Sequence, residues 1–256
     1  MKFENIVLSV DEISITSRFY LPDDGSSVYP AVCICHGIPS GNPANPDDGG
    51  YPLLAEHVCS KGYAVFIFNF RGAGTSGGNL DMHGWTRDLD AVIDYLYQRR
   101  EVDDSFLSLL GFSAGAAVSV VTAAHDNRVT SAIACSCPAA FGFLDSGSAL
   151  ERFRRIGTIR DKDFPESISE WAEGFRKVSP INCVQDISPR PVAFIHGEDD
   201  EVVEISHAYR LYDKAGEPKR LYTIPGAGHK LRNNEQALTK VYEVLNTYRR
   251  DNTRMV

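Results

Sequence analysis

A chain of 256 residues, 43% of them hydrophobic and 23% charged, has the composition of an ordinary folded globular protein with material for a sizeable core. Its 26 basic and 34 acidic side chains give a formal charge of -8, which argues against a nucleic-acid backbone or an anionic membrane as main partner, since both require clustered Lys and Arg. No apolar run approaches the roughly 20 residues that a bilayer crossing needs. The start Met1-Lys2-Phe3-Glu4-Asn5 alternates where a secretory signal would build an apolar block, so a cytoplasmic location is expected.

In chain order, Ile6 to Val10 and Ile13 to Leu21 alternate as half-exposed strands do, and predict an antiparallel hairpin at a sheet edge. From Tyr29 the pattern changes to near-continuous apolar runs: Ala31 to Cys35, Tyr63 to Phe70, Phe106 to Leu110, Val129 to Cys137, Val192 to Ile195 and Arg220 to Ile224. Such runs read as strands of a parallel sheet covered on both faces. Between them fall helix candidates at Tyr51 to Ser60, Trp85 to Arg100, Ala114 to His125, Ile205 to Ala215 and Glu235 to Arg249. This alternation predicts one α/β domain with a doubly wound, mostly parallel sheet. The interval from Ala140 to Pro189 is about 50 residues, longer than a single crossover helix needs, and carries two helical pieces, Ala149 to Ile156 and Glu166 to Val178. It is expected to form a small helical cap inserted between the sixth and seventh strands.

Six cysteines (Cys33, Cys35, Cys59, Cys135, Cys137, Cys183) sit mostly inside the apolar runs, with no C-x-x-C pair, and read as buried thiols. By the period of two, Cys33 and Cys35 share a strand face, and so should Cys135 and Cys137. Zinc-type spacings such as His-x-x-x-His are absent, so no metal is expected.

The most informative residue is Ser113, in Gly111-Phe112-Ser113-Ala114-Gly115, between an apolar run and a small-residue helix. This is the G-x-S-x-G pattern of a nucleophile elbow, where glycines on both sides leave space for a sharp strand-to-helix turn. A serine hydroxyl is a weak nucleophile near neutral pH and needs a base, an orienting acid and donors for an oxyanion. His229, in the turn Pro225-Gly226-Ala227-Gly228-His229, is a candidate base. The acid falls in His196-Gly197-Glu198-Asp199-Asp200-Glu201, where four consecutive acids leave the choice open by spacing alone. The order serine, acid, histidine is that of the α/β-hydrolase nucleophile elbow motif.

On these residues the chain resembles the α/β-hydrolase fold serine hydrolases from Tyr29 to Arg249. The resemblance takes in their esterase, prolyl-oligopeptidase-like and dienelactone-hydrolase-like branches. His36-Gly37-Ile38-Pro39 is similar to the oxyanion-loop motif, Gly111 to Gly115 to the elbow, His196-Gly197-x-x-Asp200 to the acid loop and Gly228-His229 to the histidine loop. The resemblance implies Ser113 as nucleophile, Asp200 rather than Asp199 as acid, His229 as base, and an oxyanion hole of the Ile38 and Ala114 backbone N–H groups. His36 and His196 then drop out as catalytic candidates, and Arg71 to Ser76 is expected to shape the site floor. Gly72-Ala73-Gly74-Thr75-Ser76-Gly77 also matches G-x-G-x-x-G after a strand, but residues 78–84 are expected to delay the next helix to about Trp85, too late for its N-terminus to meet a pyrophosphate.

The expected activity is cofactor-independent hydrolysis of small or medium carboxylic esters, so the expected partner is a small-molecule ester. A peptidase, amidase or thioesterase of the same fold is the alternative enzyme. Dienelactone substrates fit less well, since that branch commonly carries cysteine at the elbow. The alternative of another class is a catalytically silent binding protein on this fold.

Overall fold

The computed structural model of the chain describes residues 1–41, 48–141 and 146–255. Its strands are β1 (Lys2–Val10), β2 (Ile13–Leu21), β3 (Tyr29–Cys35), β4 (Ala64–Phe68), β5 (Val102–Phe112), β6 (Ser131–Cys135), β7 (Val192–Gly197) and β8 (Lys219–Ile224). They form one sheet in the order β1-β2-β4-β3-β5-β6-β7-β8. β2 runs antiparallel to β1 and to β4, and all other pairs are parallel. The expected hairpin and doubly wound sheet are therefore both present.

Alternation along each strand divides the core in two. Val32, Ile34, Val65 and Ile133 face α1 (Gly50–Cys59) and α7 (Glu235–Met255), where they meet Leu54, Val58, Val241 and Leu245. Ala31, Cys33, Phe66 and Leu109 face the other way, toward α2 (Met82–Tyr97), α3 (Ala114–His125) and α6 (Ser206–Lys214). All six cysteines are buried free thiols. Cys33 and Cys35 share a face, but Cys135 and Cys137 lie in opposite halves of the core. The period of two fails between them because β6 ends at Cys135 and Ser136 turns left-handed, at φ 47°.

The hairpin turn also uses left-handed backbone, at Asp11 (φ 50°) and Glu12 (φ 64°), the geometry of a two-residue type I′ connection. Arg71 reaches the Asp11 carboxylate at 2.9 Å and grips the wholly buried Asp88 of α2 at 2.7 Å, so one guanidinium ties hairpin, β4 and α2 together. The helix after β4 begins earlier than expected, at Met82, because the Asp81 side chain caps it by accepting from the His83 N–H. Gly84 lies inside that helix, where a Cβ would stand 2.5 Å from Arg71 Cδ. Seven residues still separate Gly74 from the helix start, so the glycines do not open it.

The chain between β6 and β7 carries α4 (Ser146–Arg155), α5 (Ile168–Lys177) and two short 3-10 turns, Pro180–Asn182 and Val184–Ile187. Residues 142–145 of the expected insertion lie outside the described residues. Phe153, Trp171 and Phe175 pack ring to ring, with Trp171 and Phe175 centroids 5.1 Å apart, and join the core on the α2 side. The loop after β4 seats this insertion. Arg160 donates to the carbonyls of Ser76 (2.6 Å) and Gly74 (2.9 Å), the Leu80 N–H to Thr158 O, and Trp171 Nε1 to Leu80 O. The loop expected to floor the site thus supports the insertion.

Asp88→Asn leaves the Arg71 guanidinium with only the exposed Asp11 as counter-charge. A loss of about 3 kcal/mol is expected in urea unfolding, since removing one member of a buried ion pair strands the other. Unchanged stability would refute this account of the hairpin's anchorage.

Candidate active site

The site lies at the C-terminal ends of the parallel strands. Ser113 follows β5 directly and has φ 53° and ψ -126°, a left-handed conformation costly for any residue with a Cβ. The tight turn brings backbone close to backbone on both sides. A Cβ at Gly111 would stand 2.4 Å from Ala116 Cα, and one at Gly115 would stand 2.2 Å from the His36 carbonyl oxygen. The Ser113 N–H is held by Cys135 O at 2.8 Å, and its Oγ is left toward the loops.

His229 Nε2 lies 3.0 Å from Ser113 Oγ, and its Nδ1 lies 2.9 and 3.0 Å from the two carboxylate oxygens of Asp200. Asp200 is buried while Asp199 is exposed, which settles the geometry that spacing left open. Burial alone would raise the Asp200 carboxyl, but hydrogen bonds from His229 and from the Val203 and Val202 N–H groups outweigh it and hold the pKa at about 2. With the carboxylate ionised, Nδ1 carries the proton and Nε2 is free to accept one from the serine.

Both His-Gly pairs have a mechanical explanation. His196 Nε2 donates to Val203 O at 2.8 Å, closing the acid loop, and stands 3.4 Å from Asp200 Oδ2. A Cβ on Gly197 would stand 2.2 Å from Ala227 O, so the acid and histidine loops touch there. The N–H groups of Glu198 and Asp199 bond across to Ile224 O and Ala227 O. His36 accepts the Phe70 N–H on Nε2 (3.0 Å) and, with its proton on Nδ1, donates to Gly37 O (2.7 Å). Burial lowers the pKa of both His36 and His196 and keeps them neutral.

Gly37 allows the loop after β3 to lie on the serine, since a Cβ there would be 2.9 Å from Ser113 Cβ. Ala114 opens α3, so its N–H has no carbonyl one turn back. The Ile38 N–H makes no backbone hydrogen bond among the described residues. Ala114 is the chain neighbour of Ser113, and Ile38 that of Gly37, which lies against the serine.

A further set of residues carries no signal in the sequence. Arg232 grips Asp48 through two bonds of 2.6 Å, Asn233 adds a third at 3.2 Å, and the guanidinium lies 5.0 Å over the Tyr51 ring. Tyr51 packs edge-on against Phe112, 5.8 Å away, and its hydroxyl is pushed up to about 12 by burial, so it stays a neutral phenol. Arg232 follows His229 by three residues, so this clamp joins the histidine loop to the chain that enters α1.

The sequence model of the prolyl oligopeptidase family matches residues 53–251. The chain belongs to this family. GrgF, an α/β hydrolase from Penicillium sp. sh18, superposes on this family member with a TM-score of 0.74 at 18% identity, over 97% of this chain and 99% of that one. Est1E from Butyrivibrio proteoclasticus, solved with ferulic acid bound, does so with a TM-score of 0.72 at 19% identity, over 97% and 99%. These likenesses establish the α/β-hydrolase fold. The uncharacterized protein YfhR of Escherichia coli is 31% identical over 180 residues, which make up 70% of this chain and 57% of that relative. The prolyl oligopeptidase family member thus spans less than two thirds of that relative's length. By sequence the chain is thus a member of the prolyl oligopeptidase family, and by structure it has the fold of the α/β hydrolases.

Two expectations test the geometry. Arg232→Gln frees the histidine loop from Asp48 and should lower kcat for any substrate turned over at Ser113 about tenfold, because small displacements of reacting groups are costly; unchanged kcat would count against the clamp. Asp200 has a folded pKa of about 2 against an ordinary 3.8, so its ionised form stabilises the fold above about pH 4, and that contribution is lost as the pH falls toward 2. The stability gap between the parent and Asp200→Asn should shrink by on the order of 2 kcal/mol over that window. A gap independent of pH would contradict it.

Proposed function

We propose that the chain hydrolyses small or medium carboxylic esters without a cofactor, through an acyl-enzyme on Ser113. The observation that carries this reading is the continuous hydrogen-bonded line from Ser113 Oγ through His229 to Asp200. As Oγ attacks the ester carbonyl, its proton passes to His229 Nε2, and Asp200 stabilises the imidazolium. The tetrahedral oxyanion is received by the Ile38 and Ala114 N–H groups. Collapse breaks the bond to the alcohol oxygen, which takes the proton from Nε2. Water then attacks the acyl-enzyme by the same route and frees the acid. The whole chain acts as one domain, with residues 140–189 as a small cap.

Support for esters over amides comes from the absence of a large gating domain among the described residues, which suits a small or medium substrate, and from Est1E, a neighbour of the same fold that holds ferulic acid. The family description favours the second reading, a peptidase or amidase with the same nucleophile. Thioesters are compatible with the same acyl-enzyme chemistry. A silent binding protein is disfavoured because such a protein has no need of a strained serine bonded to a histidine and a buried acid.

A fluorophosphonate probe is expected to label the parent protein and not Ser113→Ala, and Asp200→Asn should cut ester turnover roughly ten-thousand-fold. Absence of labelling in the parent would favour the binding protein. p-Nitrophenyl esters should be cleaved faster than amino-acyl anilides, and the reverse order would select the peptidase reading.

A further inference from the structure

One cavity has no part in the chemistry described, and none of Ser113, His229 and Asp200 lines it. It is a groove of about 420 Å3 on the α1 face of the sheet, walled at its inner end by His36 and Tyr51. His36 precedes Gly37, which lies against Ser113, and Tyr51 packs on Phe112, so both residues at this end of the groove adjoin immediate neighbours of the nucleophile. Its floor is a row of residues opposite one another in register: Ile34 of β3, Ile67 of β4, Arg18 of β2 and Asn5 of β1. Residues in register point to the same face. The row starts at Leu110 of β5, three residues before Ser113, and reaches Arg18 after three inter-strand steps, about 14 Å across the sheet.

Arg18 is the one fully charged side chain in the described lining, which holds no Asp or Glu. Its guanidinium is held in place from three sides: Nε donates to Asn5 Oδ1 (3.1 Å), one terminal nitrogen donates to the Tyr20 hydroxyl (3.1 Å), and the plane stands 4.5 Å over the Phe3 ring. The other terminal nitrogen makes no hydrogen bond among the described residues. Arg71, Arg87, Arg99, Arg128, Arg176 and Arg232 pair with a carboxylate, and Arg154, Arg160 and Arg190 bond to backbone carbonyls, whereas Arg18 has no carboxylate within 4.0 Å and no backbone carbonyl acceptor among the described residues. An oriented, half-buried cation in a groove of mixed polar and apolar lining, in a chain of charge -8, matches an anion brought by a ligand.

We infer that the groove takes the acyl arm of a substrate that ends in a carboxylate, with its apolar body over Ile34 and Ile67 and its terminal anion on Arg18. The inference rests on the serine hydrolase reading above and names its substrate class as esters of medium-chain ω-carboxy acids. One guanidinium suits a monoanionic carboxylate, which it can meet with its free edge.

The test compares the p-nitrophenyl half-ester of dodecanedioic acid with the same ester capped by an ω-methyl group, in the parent, Arg18→Gln and Arg18→Lys. The parent should prefer the free acid in kcat/KM by about tenfold, the size expected of a partly screened, charge-assisted contact. Arg18→Gln should bring the ratio to near one, and Arg18→Lys should retain part of it. Equal rates in the parent, or a preference that survives Arg18→Gln, would overturn the inference. If neither ester is turned over, the hydrolase reading fails, and the groove is judged by calorimetry of dodecanedioate binding to Ser113→Ala with and without Arg18→Gln. Binding about tenfold weaker in the double variant supports the inference; equal binding or none overturns it.

Discussion

The structure depends on the left-handed backbone at Ser113. A residue with a Cβ stays in that conformation only when its surroundings leave no alternative. The surroundings here are the Cys135 carbonyl bonded to its N–H, the helix that starts at once behind it, and the β3 loop pressed against Gly115. Any side chain at Gly37, Gly111 or Gly115 would push these pieces apart. The serine hydroxyl is thereby presented to the histidine by rigid neighbours, so little ordering is left to be done when a substrate arrives.

Around that point the molecule uses one device twice. In His36-Gly37 and again in His196-Gly197, a neutral buried histidine fastens a loop through ring nitrogens, and the adjacent glycine lets a second backbone come within contact. The first pair sets the β3 loop beside the serine, and the second sets the acid loop beside the histidine loop. Neither histidine has to gain or lose a proton for this. The Asp48 and Arg232 pair then fastens the histidine loop to the chain entering α1, so the loops that meet at the site are cross-linked without disulfides.

Much of this was legible in the chain itself. The elbow, both His-Gly loops and His229 are local patterns, and the alternation of apolar runs and helices announces a doubly wound sheet. What escaped reading depends on backbone detail or on partners distant in sequence. Cys135 and Cys137 part company because a single left-handed residue, Ser136, breaks the strand period. The sequence predicts too late a start for α2 because Gly84 looks like a helix breaker, and only the nearby Arg71 side chain explains its presence. Asp48, Tyr51 and Arg232 are unremarkable residues until the fold brings positions more than 180 apart into contact. Arg18 likewise reads as a polar residue of an alternating strand until the register places it on one row with Ile67 and Ile34.

The seat of the α4–α5 insertion has an evolutionary corollary. Arg160 holds the loop after β4 by the carbonyls of Ser76 and Gly74, and Leu80 meets Thr158 and Trp171 through its own N–H and C=O. These contacts read backbone, and one side chain of the loop joins them, since Asn79 Oδ1 accepts from the Arg160 and Asp161 N–H groups. Drift in the other side chains of that loop therefore leaves the attachment intact wherever the backbone path and Asn79 are kept. The lining of the site and the mounting of the structure above it are free to diversify independently, which lets one scaffold be retuned to new molecules by a few changes at a time.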